Sequence, residues 1–225
     1  MANQNVRIPR FYTDIVAYLL SRGMTFSTNI GFATDTVSHL TTLTTGSAEE
    51  LFDLRPLNKV TFDTSSNQAK NVVLHINTSS FKKGFVAILN HNMKSADAKF
   101  LVKTSDNVSH VKAIDMASAN AMGNPVEITN ADDITNSIVT PATDGHTIVT
   151  FDETDDTFVG IQFEGTDSNN FDGTNDLFVG CVMVGEFFDM PFAPDLNLTR
   201  SIEFDKVTQN ESLGGQRFST MTSFG

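Results

Sequence analysis

The chain of 225 residues is 40% hydrophobic and 19% charged, which is typical of a folded globular protein and excludes the disordered and fibrous classes. Its 27 acidic residues outnumber the 15 basic ones, and the formal net charge of −12 repels phosphate backbones, so no nucleic-acid partner is expected. No apolar run reaches the ~18 residues of a membrane-spanning helix, so no membrane partner is expected either.

Residues 1–46 are predicted to form an N-terminal arm that leads into a docking helix. The opening residues are polar, and the apolar run over 15–20 predicts a short helix that ends at Gly23. A second helix is predicted after Ser47, because this serine can cap the first turn while Glu50 reaches back to it in a capping box.

From residue 60 onward the apolar residues recur at every second position, which is the period of a half-buried strand. The predicted strands are 60–62, 72–76, 85–89, 100–102, 126–128, 147–151, 158–163 and 178–184. No helix-length crossover separates them, which favours a sandwich over βαβ units. We therefore predict an all-β fold, a jelly-roll β-sandwich over residues 47–194 with short N-terminal helices and an extended C-terminal arm.

The predicted C-terminal arm covers residues 195–225. Apolar and polar residues alternate in its first half, and the two glycines at 214–215 allow a bend. An extended apolar strand can add to the sheet of a neighbouring subunit, so both ends of the chain are expected to mediate assembly. The predicted subunit-contact residues are Arg7, Arg10, Leu196, Leu198, Ile202, Phe204, Arg217 and Phe218.

One strand of the predicted sandwich, 85–89, runs directly into a polar corner. The segments that carry a family resemblance are Asn90-His91-Asn92 after that strand, the later runs 158–163 and 177–186, and the exit 187–191. Together they resemble uncharacterised tail and virion structural proteins of tailed phages that contain a discoidin-like, galactose-binding-like jelly roll. The resemblance covers roughly residues 50–220.

The resemblance implies a non-enzymatic virion protein of the tail or baseplate, assembled in the host cytoplasm, that binds other virion proteins and copies of itself. The alternative is a capsid-decorating protein or one that binds a host receptor or glycan. The absence of Trp argues mildly against a glycan, because sugar-binding faces commonly use Trp and Tyr as stacking platforms. An esterase or glycosidase is disfavoured, since no catalytic constellation can be assembled from the sequence.

The corner Asn90-His91-Asn92 invites comparison with a general base held between two amides. Asn and His also tolerate unusual backbone angles and bond nearby backbone groups at turns, so we predict a structural turn instead. The five histidines are scattered without zinc-ligand spacing, and the single cysteine, Cys181, lies in an apolar run that predicts a buried thiol.

The most acidic stretch, residues 152–176, is the one place where a cofactor is considered. Calcium binds carboxylate and carbonyl oxygens, and the segment 167–173 offers Asp167 and Asp172 as candidate ligands. It departs from the EF-hand template because Phe171 occupies a ligand position. A solvated acidic rim is the alternative, and no other cofactor is expected.

Overall fold

The computed structural model describes residues 9–34, 38–116, 125–135, 137–191, 207–211 and 217–221. The chain divides into two compact units. The larger unit is Arg10–Asp189, and the smaller one combines Met1–Pro9 with Met190–Gly225.

The larger unit is a sandwich of two antiparallel sheets, which confirms the predicted all-β class. The seven-stranded sheet contains β1 (Arg10–Asp14), β3 (Leu43–Thr45), β4 (Val60–Phe62), β6 (Lys83–His91), β8 (Pro125–Ile128), β11 (Gly145–Thr154) and β13 (Phe178–Asp189). The six-stranded sheet contains β2 (Ile30–Phe32), β5 (Val72–Asn77), β7 (Ala98–Ser105), β9 (Ala131–Thr135), β10 (Ile138–Pro141) and β12 (Phe158–Gly165).

Strand order places the longest strands at the centre of each sheet. The first sheet runs β3-β4-β13-β6-β11-β8, with β1 paired to the far end of β13, and the second runs β2-β5-β12-β7-β10-β9. Each of the eight predicted strands lies within an observed one. Within the two sheets of the sandwich, the strands that the sequence pattern did not reveal are β1, β2, β3, β9 and β10, which have only three to five residues each and so show little periodicity.

The period-two pattern of β12 separates its two faces. Val159, Ile161 and Phe163 are buried in the core between the sheets. Gly160 and Gln162 alternate with them and therefore lie on the outer face of the six-stranded sheet. A groove beside β2 opens at the edge of this outer face.

Three short helices accompany the sheets. Helix α1 spans Ile15–Ser21, α2 spans Val108–Lys112, and a 3-10 helix spans Ala48–Phe52. The carboxylate of Asp14 caps α1 by accepting from the backbone N–H groups of Val16 and Ala17. Both predicted helices are confirmed, although the second has 3-10 geometry. Its capping contact is present, with the Glu50 Oε2 accepting from the Ser47 N–H at 3.2 Å.

Residues 10–45 differ from the predicted arm, because they belong to the sandwich itself. They supply β1 and β3 to one sheet and β2 to the other. The side chains of Val16, Ile30 and Leu40 are buried in the core. The compact unit therefore begins at Arg10, well before the predicted boundary at residue 47.

The smaller unit contains a two-stranded antiparallel ladder, β14 (Val207–Glu211) and β15 (Arg217–Met221). These strands fall within the segment predicted to be an extended arm. Of the predicted contact residues, Arg217 pairs with Glu211 and Phe218 with Asn210 in the backbone register. Arg7, Leu196, Leu198, Ile202 and Phe204 lie outside the described residues.

Candidate functional site

A groove of about 530 Å³ lies beside β2, the terminal strand of the six-stranded sheet. Its walls come from the loop before β2, from β2 itself, from the 3-10 helix and from the end of α2. The lining residues that determine its chemistry are Phe26, Gly31, Phe32, Glu49, His75 and Lys112.

Two phenylalanine rings give the groove its apolar surface, and each is anchored on a core ring. The Phe26 centroid lies 5.9 Å from that of Phe52, and the Phe32 centroid lies 5.5 Å from that of Phe62 in an edge-on arrangement. Phe52 and Phe62 are buried, whereas Phe26 and Phe32 are partly exposed. The groove rings are thus held in fixed positions while part of each faces solvent.

Gly31 and His75 form the floor at the point where β2 pairs with β5. The two residues are opposite each other in the register, and a Cβ at position 31 would lie 3.3 Å from Nε2 of His75. A side chain at position 31 would therefore press against the imidazole. Glycine leaves room for a ligand at this point.

Two charged side chains line the groove, and they come from two different helices. Glu49 is exposed in the first turn of the 3-10 helix, and Lys112 is the last residue of α2. Hydroxyl groups of Ser27 and Thr41 add hydrogen-bonding capacity. Apolar rings with a few polar groups around them are typical of a small-molecule or oligomer site.

The predicted corner at residues 90–92 connects β6 to neighbouring loops by hydrogen bonds. Asn90 adopts a positive φ of 51° and its amide donates to the Pro56 carbonyl at 2.6 Å. The Asn92 amide donates to the Asp176 carbonyl at 2.8 Å, and its Oδ1 accepts from the Phe178 N–H at 2.7 Å. His91 is buried, and burial lowers its pKa to about 4. The corner is thus occupied with structural contacts and does not line the groove.

The predicted calcium ligands each bond within their own loop. Oδ1 of Asp167 accepts from the Ser168 hydroxyl at 3.3 Å, and Oδ2 of Asp172 accepts from the backbone and side-chain nitrogens of Asn175 at 2.9 and 2.6 Å. Among the described residues, no three His, Cys, Asp or Glu side chains are grouped as a metal site would require. Calcium binding at Asp167 and Asp172 stays a prediction.

The N-terminal part of the acidic stretch contacts a buried lysine that the sequence pattern did not reveal. Lys83 is fully buried, and its Nζ donates to the Phe81 carbonyl at 2.7 Å and to the Asp156 carbonyl. Burial lowers the pKa of Lys83, while the charges of Asp156, Asp155 and Asp106 oppose that shift. In the sequence this lysine lies two residues before the predicted strand 85–89, and that position gives no sign of its burial.

Arg10, a predicted subunit contact, makes its polar contacts within the chain. Its guanidinium binds both carboxylate oxygens of Asp189 at 2.5 and 2.9 Å and Glu127 at 2.8 Å. It also lies over the Phe187 ring, 4.5 Å from the centroid. The hydrogen bonds that Arg10 donates to Asp189 outweigh the effect of burial and raise the pKa of Arg10.

The thiol of Cys181 is fully buried, as its apolar surroundings in the sequence predicted. Burial raises its pKa to about 11. A neutral, inaccessible thiol is a poor nucleophile. Cys181 therefore belongs to the packing of β13.

None of the described helices is long and apolar enough to cross a membrane. No family model and no curated protein matches the chain. Among solved structures it is similar to chitosan-binding module 1 of a chitosanase/glucanase from Paenibacillus sp. IK-5, with 14% identity, 70% of this chain and 93% of that chain covered, and a TM-score of 0.42. A selenomethionine-labelled mutant of the same module gives 16% identity, coverages of 68% and 95%, and a TM-score of 0.39.

Proposed function

We propose that the sandwich is a non-catalytic carbohydrate-binding module whose ligand lies in the groove beside β2. The observation that carries this proposal is the pair of anchored, partly exposed rings of Phe26 and Phe32 in a concave surface that also holds Glu49 and Lys112. Sugar rings present apolar C–H faces that pack on aromatic rings, and their hydroxyl groups bond to flanking polar side chains.

The presence of one carboxylate, rather than two, among the described lining residues favours binding over hydrolysis. Glycoside hydrolysis uses two carboxyl groups across the scissile bond, and Glu49 is the one carboxylate among the described lining residues. The net charge of −12 attracts cationic ligands. An amino-sugar oligomer is therefore the preferred ligand class, with an uncharged glucan as its comparison.

The test is titration calorimetry with a glucosamine hexamer and a glucose hexamer. Phe26→Leu keeps an apolar side chain but removes the ring, and we expect about tenfold weaker binding from the loss of roughly 1.4 kcal/mol. Phe81→Leu is the matched control, because Phe81 is an exposed phenylalanine that does not line the groove. Equal affinity of the Phe26→Leu variant and the wild type would refute the groove as the site.

Glu49→Gln separates charge from shape. This substitution should lower the affinity for the glucosamine hexamer more than the affinity for the glucose hexamer, because only the glucosamine hexamer carries ammonium groups. Lys82→Gln, which changes the charge of an exposed residue outside the groove, should alter both affinities little. If Glu49→Gln lowers the affinity for both hexamers equally, the proposed preference for amino sugars is wrong.

A second candidate function is subunit assembly, which the resemblance to virion proteins favours. A specific observation supports it: the cross-strand pair Phe11 and Phe188 is 58% and 63% exposed at one end of the sandwich. Within the described strands, β1 has β13 as its one neighbour, so its other backbone edge can pair with β1 of a second copy. Such a contact would be symmetric.

Sedimentation velocity tests this assembly function. A Phe11→Ser/Phe188→Ser variant should dissociate an oligomer that the wild type forms, whereas Leu57→Ser, at an exposed apolar residue elsewhere, should not. A wild type that stays monomeric at high concentration would reject assembly through β1. A place in a tailed-phage virion would then rest on other contacts, and immunolabelling of particles would test it.

A further inference from the structure

A short segment covers the outer face of the six-stranded sheet. This segment, residues 108–116, comprises α2 and the turn after it, and is called the cover. A Cβ at Gly160 would lie 2.6 Å from Cδ1 of Ile114 and 2.8 Å from Cβ of Val111. Ile114 and Met116 also form a small buried cluster with Leu101 of β7. The cover therefore lies directly on β12 and β7.

Beneath the cover, the sheet presents polar groups that lack partners. Gln162 is fully buried between Val73 and Leu101 in the register, and neither its Oε1 nor its Nε2 has a hydrogen-bond partner within the described part of the chain. The same holds for Oε2 of Glu164, two residues along the same face. Burial raises the pKa of Glu164, an effect that Lys99 opposes.

Unpaired buried amides are rare, because losing their bonds to water without replacement is costly. An apolar residue at position 162 would pack beside Leu101, which clusters with Ile114 and Met116, without that cost. A glutamine whose donor and acceptor are both unused is suited to a partner that brings both groups, such as the adjacent hydroxyls of a sugar.

Open space borders the cover on several sides. A cavity of about 150 Å³ is lined by Ser109 and His110, and another of about 280 Å³ by Ile114 and Asp115. The groove beside β2 reaches Lys112 in the middle of the same segment. The cover is thus held mainly by its contacts with the sheet below, and the groove continues to its edge.

We propose that the cover lifts and that the sheet face beneath it, with Gln162 and Glu164 as hydrogen-bonding groups, is a second part of the carbohydrate site. This inference rests on the proposed function. A chain that starts in the groove can extend past Lys112 onto the uncovered face, so the preferred ligand is an oligomer rather than a single sugar. Closing the cover hides the polar groups when no oligomer is bound.

Substitutions at positions that do not line the groove can shift the equilibrium between the closed and the open cover. Gly160→Ala adds a methyl group against Val111 and Ile114 and should favour the open state, so we expect hexamer binding at least about threefold tighter. Val111→Ala removes a contact instead of adding a clash and should act in the same direction. Gly84→Ala, whose added methyl group meets the Phe187 ring and the Phe151 carbonyl oxygen in the other sheet, is the matched control.

Gln162→Leu tests the hydrogen-bonding role. If Gln162 binds sugar, this variant should bind the glucosamine hexamer about tenfold more weakly while its thermal stability stays equal or rises. Hydrogen exchange gives a second readout: saturating hexamer should slow exchange over 26–32 in the groove and accelerate it over 108–116. Unchanged affinity for Gln162→Leu, or a cover that becomes protected when hexamer binds, would overturn the inference.

The two proposals fail in different ways. In one outcome, Phe26→Leu loses binding while Gly160→Ala, Val111→Ala and Gln162→Leu have no effect. That result supports the groove as the binding site and rejects the proposal that the cover lifts. If the wild type binds neither hexamer but Gly160→Ala does, the closed cover blocks the site and the inference stands. Absence of binding in both the wild type and Gly160→Ala rejects the two proposals together.

Discussion

Nε2 of His91 lies 2.9 Å from Oγ1 of Thr147, and this contact joins β6 to β11 in the interior of the sandwich. The backbone N–H of Met93 donates to Nδ1 of the same ring at 3.2 Å, so Nδ1 carries no proton. The neutral imidazole must therefore donate from Nε2 to Thr147. A second proton on the ring would remove the acceptor that Met93 uses.

The tautomer of His91 leads to a prediction about acid stability. Its pKa of about 4 in the folded chain is below the ordinary 6.5, so the unfolded chain binds more protons between these values. Stability should fall as pH drops from 6.5 towards 4, by up to about 3 kcal/mol from this residue. Urea unfolding at pH 7 and pH 4.5 measures the change.

The matched variant for this experiment is His91→Gln, whose amide cannot be protonated in that range. Asp14 and Glu164 have pKa values raised by burial, so they act in the opposite direction, and the comparison with His91→Gln removes their contribution. The variant should show a smaller loss of stability between the two pH values. An identical loss in both proteins would contradict the assignment to His91.

Lys83 provides a prediction about a buried charge. Its ammonium is the partner of the Phe81 and Asp156 carbonyls. Lys83→Met keeps the length of the side chain but leaves both carbonyls without this donor, and we expect a destabilisation of about 2–4 kcal/mol. Chemical denaturation measures it.

The adjacent Lys82 is the control for Lys83. It has the same chemistry but is exposed, and it pairs with Glu153 on the surface. Surface ion pairs contribute little because solvent screens them, so Lys82→Met should leave the unfolding midpoint almost unchanged. Equal destabilisation of the two variants would show that the location of the ammonium does not matter.

The carboxylate of Asp176 connects the loop before β13 to Ser65 in the loop after β4 and to Thr44 in β3. Its Oδ1 accepts from the backbone N–H and hydroxyl of Ser65 at 2.9 and 2.6 Å, and its Oδ2 accepts from the Thr44 hydroxyl at 3.1 Å. These bonds outweigh the effect of burial and lower the pKa of Asp176. Asp176→Asn turns one acceptor into a donor and should cost about 1–2 kcal/mol in the free energy of unfolding. Asp167→Asn, at an exposed loop, should cost less.

Strand periodicity predicted the central sheets because long, half-buried strands repeat the same alternation many times. The β12 alternation of Val159, Ile161 and Phe163 is clear in the sequence for this reason. The three residues of β2 carry too few repeats to be recognised, and they enter the sheet only because β5 offers a free edge. Short strands of this kind depend on tertiary pairing rather than on local pattern.

The candidate site could not be predicted because its residues are scattered along the chain. Phe26, Glu49 and Lys112 come from three separate loops or helices. Glu49 lies between β3 and β4 of the seven-stranded sheet, whereas Phe26 and Lys112 lie next to strands of the six-stranded sheet, so the three meet only when the two sheets pack together. Gln162 illustrates a second limit: sequence shows a polar residue in a strand, but the cover that buries it follows a different strand. By contrast, the polar corner at 90–92 was visible because its residues are consecutive.

Deleting N-terminal residues tests whether the segment before residue 47 is an arm or part of the sandwich. Residues 10–45 supply three strands, and β1 alone pairs with β13 over five consecutive positions. Val16, Ile30 and Leu40 are buried in the core, and losing each removes about 1.5–3 kcal/mol of burial energy. A variant without residues 1–46 should therefore lose its cooperative thermal melt.

A variant without residues 1–8 should keep its cooperative melt, because the compact unit begins at Arg10. Circular dichroism and calorimetry on both variants decide the question. If the shorter chain melts as cooperatively as the longer one, β1, β2 and β3 are dispensable additions to a sandwich that folds without them.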